Sequence, residues 1–295
     1  MISSMTGYGK VTVANDKKQF TIEIKSINSK QLDLIIRMPS IFRDQENNLR
    51  NRLSSAIERG KVDFTVSVVN IEGGSDFIIN TGVLQNYKNQ LTDIIQELRL
   101  EAPKDWLPIL LRLPDVMSTS DKDATSEEKI ILENACSQAL ENFNISRLKE
   151  GRKLYEFFFN KTERIRFLLQ EIEKYESARI PKIREKLESQ LQKLTGVEYD
   201  KGRLEQELIY YIEKLDVTEE KVRLKSHIDY FEETLGEPDS SEVSGKGKKL
   251  GFISQEMGRE INTLGSKAND ADMQKIVVMM KDELEQIKEQ IYNVL

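Results

Sequence analysis

The sequence predicts an α+β fold: an N-terminal antiparallel sheet with helices, then a long helical arm, then a C-terminal helical domain. Three observations carry this. Segments 2–13, 20–27, 31–38 and 61–71 alternate or run apolar with Val, Ile and Thr enrichment. Strand patterns nearly vanish after Glu127. From there to the last residue, apolar side chains recur at spacings of three and four. The implied boundaries are 1–125 for the α+β domain, 126–200 for a long helical arm or hairpin, and 201–295 for the C-terminal helical domain.

In chain order, residues 2–13, 20–27 and 31–38 read as strands, separated by Asn15-Asp16 and by Asn28-Ser29. After Pro39 the spacing turns helical through Phe42, Leu49, Leu53 and Ile57, and stops at Arg59-Gly60, where glycine suits a helix end. A fourth strand spans Lys61 to Ile71, the turn Gly73-Gly74-Ser75 follows, and residues 83–98 return to helical period. Arg147 to Leu194 is a long charged periodic stretch in which Pro181 should end or kink the first of two helices. Its narrow apolar seam suits a projecting hairpin or an oligomer contact, with a plain helical bundle as the alternative.

Residues 201–234 are helical with a break near Asp216-Val217-Thr218, where Thr218 can act as the N-cap ahead of Glu219 and Glu220. Gly236 to Gly247 reads as loop. Gly245-Lys246-Gly247-Lys248-Lys249 is a mobile basic connection rather than a Walker A loop, since no Ser or Thr follows the lysines and no strand precedes. A helix over 250–264 follows, then a cap at Asn269-Asp270 and a terminal helix from Met273 to Val294.

Composition removes several chemistries. The lone Cys136 excludes an intrachain disulfide and a thiolate zinc site and reads as a small core residue, and the lone His227 excludes any two-histidine arrangement. The first residues, Met1 to Gly7, lack a basic start followed by an apolar core, and no run nears the roughly 18 apolar residues that span a bilayer, so a cytoplasmic protein without membrane contact is expected. The net charge of −6 is uneven, because residues 201–295 hold 14 Lys and Arg against 20 Asp and Glu.

Within that acidic third, Lys248 to Lys267 stands out. Leu250, Ile253, Met257, Ile261 and Leu264 form an apolar stripe, while Glu256, Glu260, Thr263 and Lys267 align on a neighbouring face. Two carboxylates, a hydroxyl and an ammonium on one face suit a divalent metal or a phosphate backbone. Upstream, Glu220, Arg223 and His227 share a face, with Glu207 and Asp216 as further oxygen donors. Imidazole titrates near working pH and suits metal ligation or proton transfer. A carboxylate-rich set with little imidazole favours Mn²⁺ or Mg²⁺ over zinc. Arg223, Arg259 and Lys267 can hold a phosphodiester, or can equally pair with Glu219, Glu256 or Glu260 as surface ion pairs.

Several segments then meet a known pattern: Ser4-Met5-Thr6-Gly7-Tyr8-Gly9, Ser26 to Asp33, Arg59-Gly60-Lys61, Leu111 to Met117, Asp216 to Glu220 with Arg223-Leu224 and Ser226-His227, and Lys248 to Lys267. Together they resemble the bacterial YicC/YloC family of endoribonucleases over essentially the whole chain. The resemblance implies a metal-dependent endoribonuclease, using Mn²⁺ or Mg²⁺, that acts on single-stranded or structured RNA. It implies a homohexamer with a central channel or clamp, other RNA-decay enzymes as partners, and a role in small-RNA turnover and stress responses.

By matching positions it points to Glu207, Glu220, His227, Glu256 and Glu260 as metal ligands, with His227, Glu256, Glu260 and Arg259 in catalysis. Arg223, Asn262 and Lys267 would face RNA, and Asn28, Lys30, Arg37, Arg59 and Lys61 would contact backbone phosphates. Gly251 and Gly258 depart from the Asp and Asn common in the family. A non-catalytic RNA-binding adaptor that presents RNA to another nuclease is the alternative function.

Overall fold

The computed structural model describes residues 2–71, 77–119, 124–192, 201–237 and 245–295. Strands β1 (Gly7–Ala14) and β2 (Lys18–Ile27) form a hairpin. Its turn is closed by the Asn15 side chain, which accepts the backbone N–H of Lys18 at 2.7 Å. β3 (Leu32–Arg37), a 3₁₀ turn over Ser40–Gln45, helix α1 (Glu46–Ala56) and β4 (Gly60–Asn70) complete a four-stranded sheet of order β1-β2-β4-β3.

The sheet is mixed rather than wholly antiparallel, because β3 runs parallel to β4. The connection explains this: the 3₁₀ turn and α1 carry the chain back to the starting end of β3, as a crossover must. Gly60 makes the re-entry at a φ of 125°, a conformation that disfavours any side chain. Phe20, Ile22, Ile24, Val62, Phe64 and Val66 alternate onto one face, against Leu49 and Leu53 of α1.

Beyond the sheet, α2 (Thr81–Glu97) and the short α3 (Leu107–Leu110) lie between two three-residue strands, β5 (Phe77–Ile79) and β6 (Met117–Thr119). These strands are too short for alternation to reveal. α2 buries none of its residues.

Helix α4 spans Ser126–Gln192 as one element. It starts with a reciprocal cap: the Thr125 hydroxyl accepts the Glu128 N–H at 3.2 Å, and the Glu128 carboxylate accepts the Thr125 N–H at 3.0 Å. Leu132, Ala135, Cys136, Ala139 and Phe143 seat its first part on the sheet, and Phe158, Ile165, Leu168 and Ile172 seat its second part in the C-terminal core. Pro181 removes one helical hydrogen bond, yet the helix continues through it. Two residues earlier, Arg179 is buried and anchors this region by donating to the carbonyls of Lys267, Ala268 and Leu215.

The remaining helices are α5 (Lys201–Lys214), α6 (Thr218–Gly236), α7 (Lys246–Ala268) and α8 (Ala271–Ile291). Thr218 is the first residue of α6 rather than its cap, and its N–H and hydroxyl both donate to Asp216, at 3.1 and 2.7 Å. Asp270 caps α8 by accepting the N–H groups of Asp272 and Met273, and Asn269 ends α7 in the left-handed region, as the turn signal predicts. Lys246 to Lys249 are not a mobile connection but the first turn of α7. Lys246 is buried, its ammonium donating to the Glu237 carbonyl at 2.6 Å.

The two halves are held together by both ends of the sequence. Ser4 bridges Val294, the Met5 N–H donates to the Asn293 carbonyl at 2.9 Å, and Leu295 N–H donates to Ser3 at 3.0 Å. Arg147 from α4 donates to the Ser4 carbonyl at 2.8 Å, and Arg59 to the Val294 carbonyl at 2.7 Å. The carbonyls thus brought together are satisfied by guanidinium groups, as burial requires.

Candidate functional site

The site grows from how α7 divides its surface. Leu250, Ile253, Met257, Ile261 and Leu264 are buried as the spacing predicts. On one flank α7 packs on α8, where Gly251, Gly258 and Gly265 face Ile291, Leu284 and Val277, so a seven-residue glycine repeat meets a seven-residue apolar repeat. At Gly251 and Gly258 an added Cβ would find ordinary contact, whereas at Gly265 it would lie 2.9 Å from Val277.

The opposite flank faces α6. Lys267 meets Glu220 at 2.8 Å and Lys249 meets Glu237 at 2.9 Å, which fixes α6 and α7 as an antiparallel pair. About seven residues along each helix from the first pair, or about ten from the second, bring His227 level with Arg259 and Glu260. α6 is held from its other side by α4, through Arg166 with Asp229 and Glu232 at 2.6 and 2.8 Å and Lys221 with Glu176 at 2.6 Å.

The solvent face of α7 carries Lys248, Phe252, Gln255, Arg259 and Asn262, all exposed. Its N-terminal end opens into a cavity of about 390 Å³ between the two halves of the molecule. Asn28, Ser29, Lys30 and Arg59 line it from the N-terminal side, and Lys248, Phe252, Gln255, Lys288 and Tyr292 from the C-terminal side. Four lining residues are cationic and none is a carboxylate. Arg59 is held by Val294, and burial pushes its guanidinium below its ordinary pKa, against the neighbouring Glu58. Lys288 pairs with Glu285 at 2.7 Å. Lys30 and Lys248 have no ion-pair partner among the described residues.

The sequence candidates therefore separate into groups. Asn28, Lys30 and Arg59 converge on the inter-domain cavity. Lys61 is exposed where β4 begins, in register with Ile27 and Asp33, while Arg37 lies toward the far end of β3 and pairs with Asp63 at 3.3 Å. His227, Glu256, Glu260, Arg259 and Asn262 share the α6–α7 surface. Glu256 is bound to Arg259 at 2.8 Å and Glu219 to Arg223, so the surface-pair alternative holds for both arginines. Glu260 has no ion-pair partner among the described residues. Thr263 donates back to the Arg259 carbonyl at 3.1 Å, a helix-internal bond.

Lys267 and Glu220 form a largely buried lock. Glu220 is 5 % exposed, one of its oxygens takes Lys267, and the other has no hydrogen-bond partner among the described residues. Glu207 lies exposed on α5, a helix that packs on α4. Among the described residues no group of three or more His, Cys, Asp and Glu side chains gathers to hold a metal ion. Helical spacing aligned these carboxylates along their own helices, but packing turned Glu220 inward and left Glu207 on a different surface.

Sequence reasoning did not single out Phe252, Gln255, Lys288 or Tyr292. Phe252 carried a usable signal, since it falls off the apolar stripe of its helix. Lys288 and Tyr292 carried none, because α8 reaches the cavity only through tertiary packing.

Profiles of two YicC-like endoribonuclease regions match the chain, the N-terminal region over residues 2–156 and the C-terminal one over residues 172–295. A relative from Clostridioides difficile named "Probable endoribonuclease YicC" is 34% identical over 303 residues, covering 100% of both chains. One of the same name from Haemophilus influenzae is 29% identical over 298 residues, covering 99% of both.

Proposed function

The chain belongs to the YicC-like endoribonuclease family, and from that membership we propose that it cleaves RNA internally, at the α6–α7 surface beside the inter-domain cavity. One observation carries the placement: the exposed face of α7 runs from a cationic cavity to Arg259 and Asn262, on the turn that lies level with His227 of α6. Lys30, Lys248 and Arg59 supply fixed positive charge for backbone phosphates, and the amides of Asn28 and Gln255 add donors that place the strand without reading its sequence.

Phosphodiester cleavage needs a base for the nucleophile, an acid for the leaving oxygen and positive charge on the phosphoryl oxygens. His227 is the proton-transfer group of the proposal, as the sole imidazole, partly exposed, level with Glu260 and about one turn from Glu256. Arg259 swings from Glu256 to a phosphoryl oxygen, exchanging one charge-assisted bond for another. Mg²⁺ and Mn²⁺ are commonly held by one or two carboxylates together with waters and substrate phosphates, a donor set that Glu260 and Glu256 fit, and such an ion supplies charge stabilisation when bound.

Homohexameric assembly is part of the proposal, supported by apolar surface that the single chain leaves uncovered: Ile94, Leu98, Leu100, Leu107 and Ile109 on and beside α2 are all more than 40 % exposed. Light scattering of the purified protein reads the subunit number.

Labelled RNA incubated with the protein, with Mn²⁺ or with EDTA, tests the enzyme. Internal cleavage lost on chelation and reduced by about 10²–10⁴ in His227→Gln, with RNA binding kept, is expected. Binding without cleavage under every condition would instead establish the adaptor.

A further inference from the structure

We propose that the inter-domain cavity receives one unpaired nucleotide of the RNA strand, its base stacked on Phe252 and Tyr292 and its phosphate held by Lys30 and Lys248. This rests on the RNA reading above and specifies what the cavity takes. Phe252 is 59 % exposed and Tyr292 69 % exposed, and both line the same cavity. Neither is needed by the core: the buried stripe of α7 is complete without Phe252, and Tyr292 follows the last turn of α8. Large aromatic faces left in water beside clustered cations form the arrangement on which unstacked bases lie, since every base has a π-face and every nucleotide a phosphate.

The geometry selects unpaired nucleotides. The cavity, about 390 Å³, is of the size that encloses a small ligand and far too small for a duplex. Its cations come from both walls, Lys30 from the loop after β2 and Lys248 from the first turn of α7, so a strand entering the cavity passes between positive charges. In a duplex the base faces are covered by their neighbours, and only the phosphate contacts remain available. The stacking residues therefore add affinity for single strands alone.

Single-stranded RNA carrying 2-aminopurine, and a duplex of the same length, provide the test by fluorescence titration. Phe252→Leu and Tyr292→Leu retain apolar bulk and remove the aromatic face at exposed positions, so melting temperature should not move. Each should weaken single-strand binding by about 5- to 150-fold and reduce 2-aminopurine quenching, with duplex binding unchanged. Phe252→Trp should restore both readouts. Lys30→Ala with Lys248→Ala should weaken both RNAs. Leucine variants that bind and quench like the unsubstituted protein would overturn the stacking proposal while the lysine loss left the RNA reading standing. An unsubstituted protein that binds neither RNA would overturn both.

Discussion

Lys267 is where the sequence and the packing assign opposite roles, and replacing it separates them. In the RNA-facing role its ammonium meets a phosphate. In the fold it neutralises Glu220, whose side chain is 7 % exposed, at 2.8 Å, while the second oxygen of that carboxylate lacks any hydrogen-bond partner among the described residues. Lys267→Met keeps the aliphatic stem and strips the charge, leaving a buried carboxylate uncompensated. Breaking a buried pair this way costs about 3–5 kcal/mol. The Lys267 side chain is 32 % exposed, so water partly screens the pair, and about 2–3 kcal/mol is the figure to expect here.

Urea unfolding followed by circular dichroism measures it, with the slope checked for constancy. The double variant Glu220→Gln/Lys267→Met removes both charges and should recover to within about 1 kcal/mol of the unsubstituted protein, because the cost lies in the orphaned charge rather than in the lost attraction. A single variant that loses less than about 0.5 kcal/mol, or a double variant as unstable as the single one, would refute this reasoning. If the folded double variant lost most of its RNA affinity, Lys267 would be a phosphate contact after all.

Three further outcomes follow from local geometry. Gly265→Ala places a Cβ 2.9 Å from Val277 and should cost about 1–3 kcal/mol through overpacking, eased by adding Val277→Ala, in the same unfolding assay. Burial pushes the Cys136 thiol up to about 12, so it should resist an aromatic disulfide reagent at neutral pH until the protein is unfolded. The Thr218 hydroxyl and N–H hold the Asp216 carboxylate below the usual carboxylate range, with Lys267 adding to the effect. A depressed carboxylate contributes stability above its unfolded value of about 3.9 and loses it as pH falls through the lower folded value. Acid should therefore lower the urea midpoint less in Asp216→Asn than in the unsubstituted protein.

The elements were legible wherever one chain segment decides its own structure. The Asn15 turn, the glycine after α1, the break at 216–218, the Asp270 cap and the buried stripe of α7 each follow from local propensity and a period of two or 3.6. The direction of β3 was not legible, because alternation is the same in parallel and antiparallel strands that bury one face. Only the crossover through α1 distinguishes them. Of the two outcomes expected at Pro181, an end or a kink, the end does not occur: a proline removes one hydrogen bond, while the buried Arg179 and the packing of α4 act over many residues.

The site divides along the same line. Spacing within a helix showed that Glu256, Glu260 and Lys267 share a face, and packing then decided what that face meets: Glu220 for Lys267, and the level of His227 for the glutamates. The cavity needed more, since its walls are separated by some two hundred residues of sequence and are brought together by hydrogen bonds between residues 3–5 and 293–295. Arg59 belongs to both arrangements, lining the cavity while holding the Val294 carbonyl at 2.7 Å. Its substitution therefore reports on the clasp and on phosphate contact together. Lys30 and Lys248, which have no such structural bond among the described residues, isolate the phosphate contribution, and for that reason the binding test rests on them rather than on the arginine.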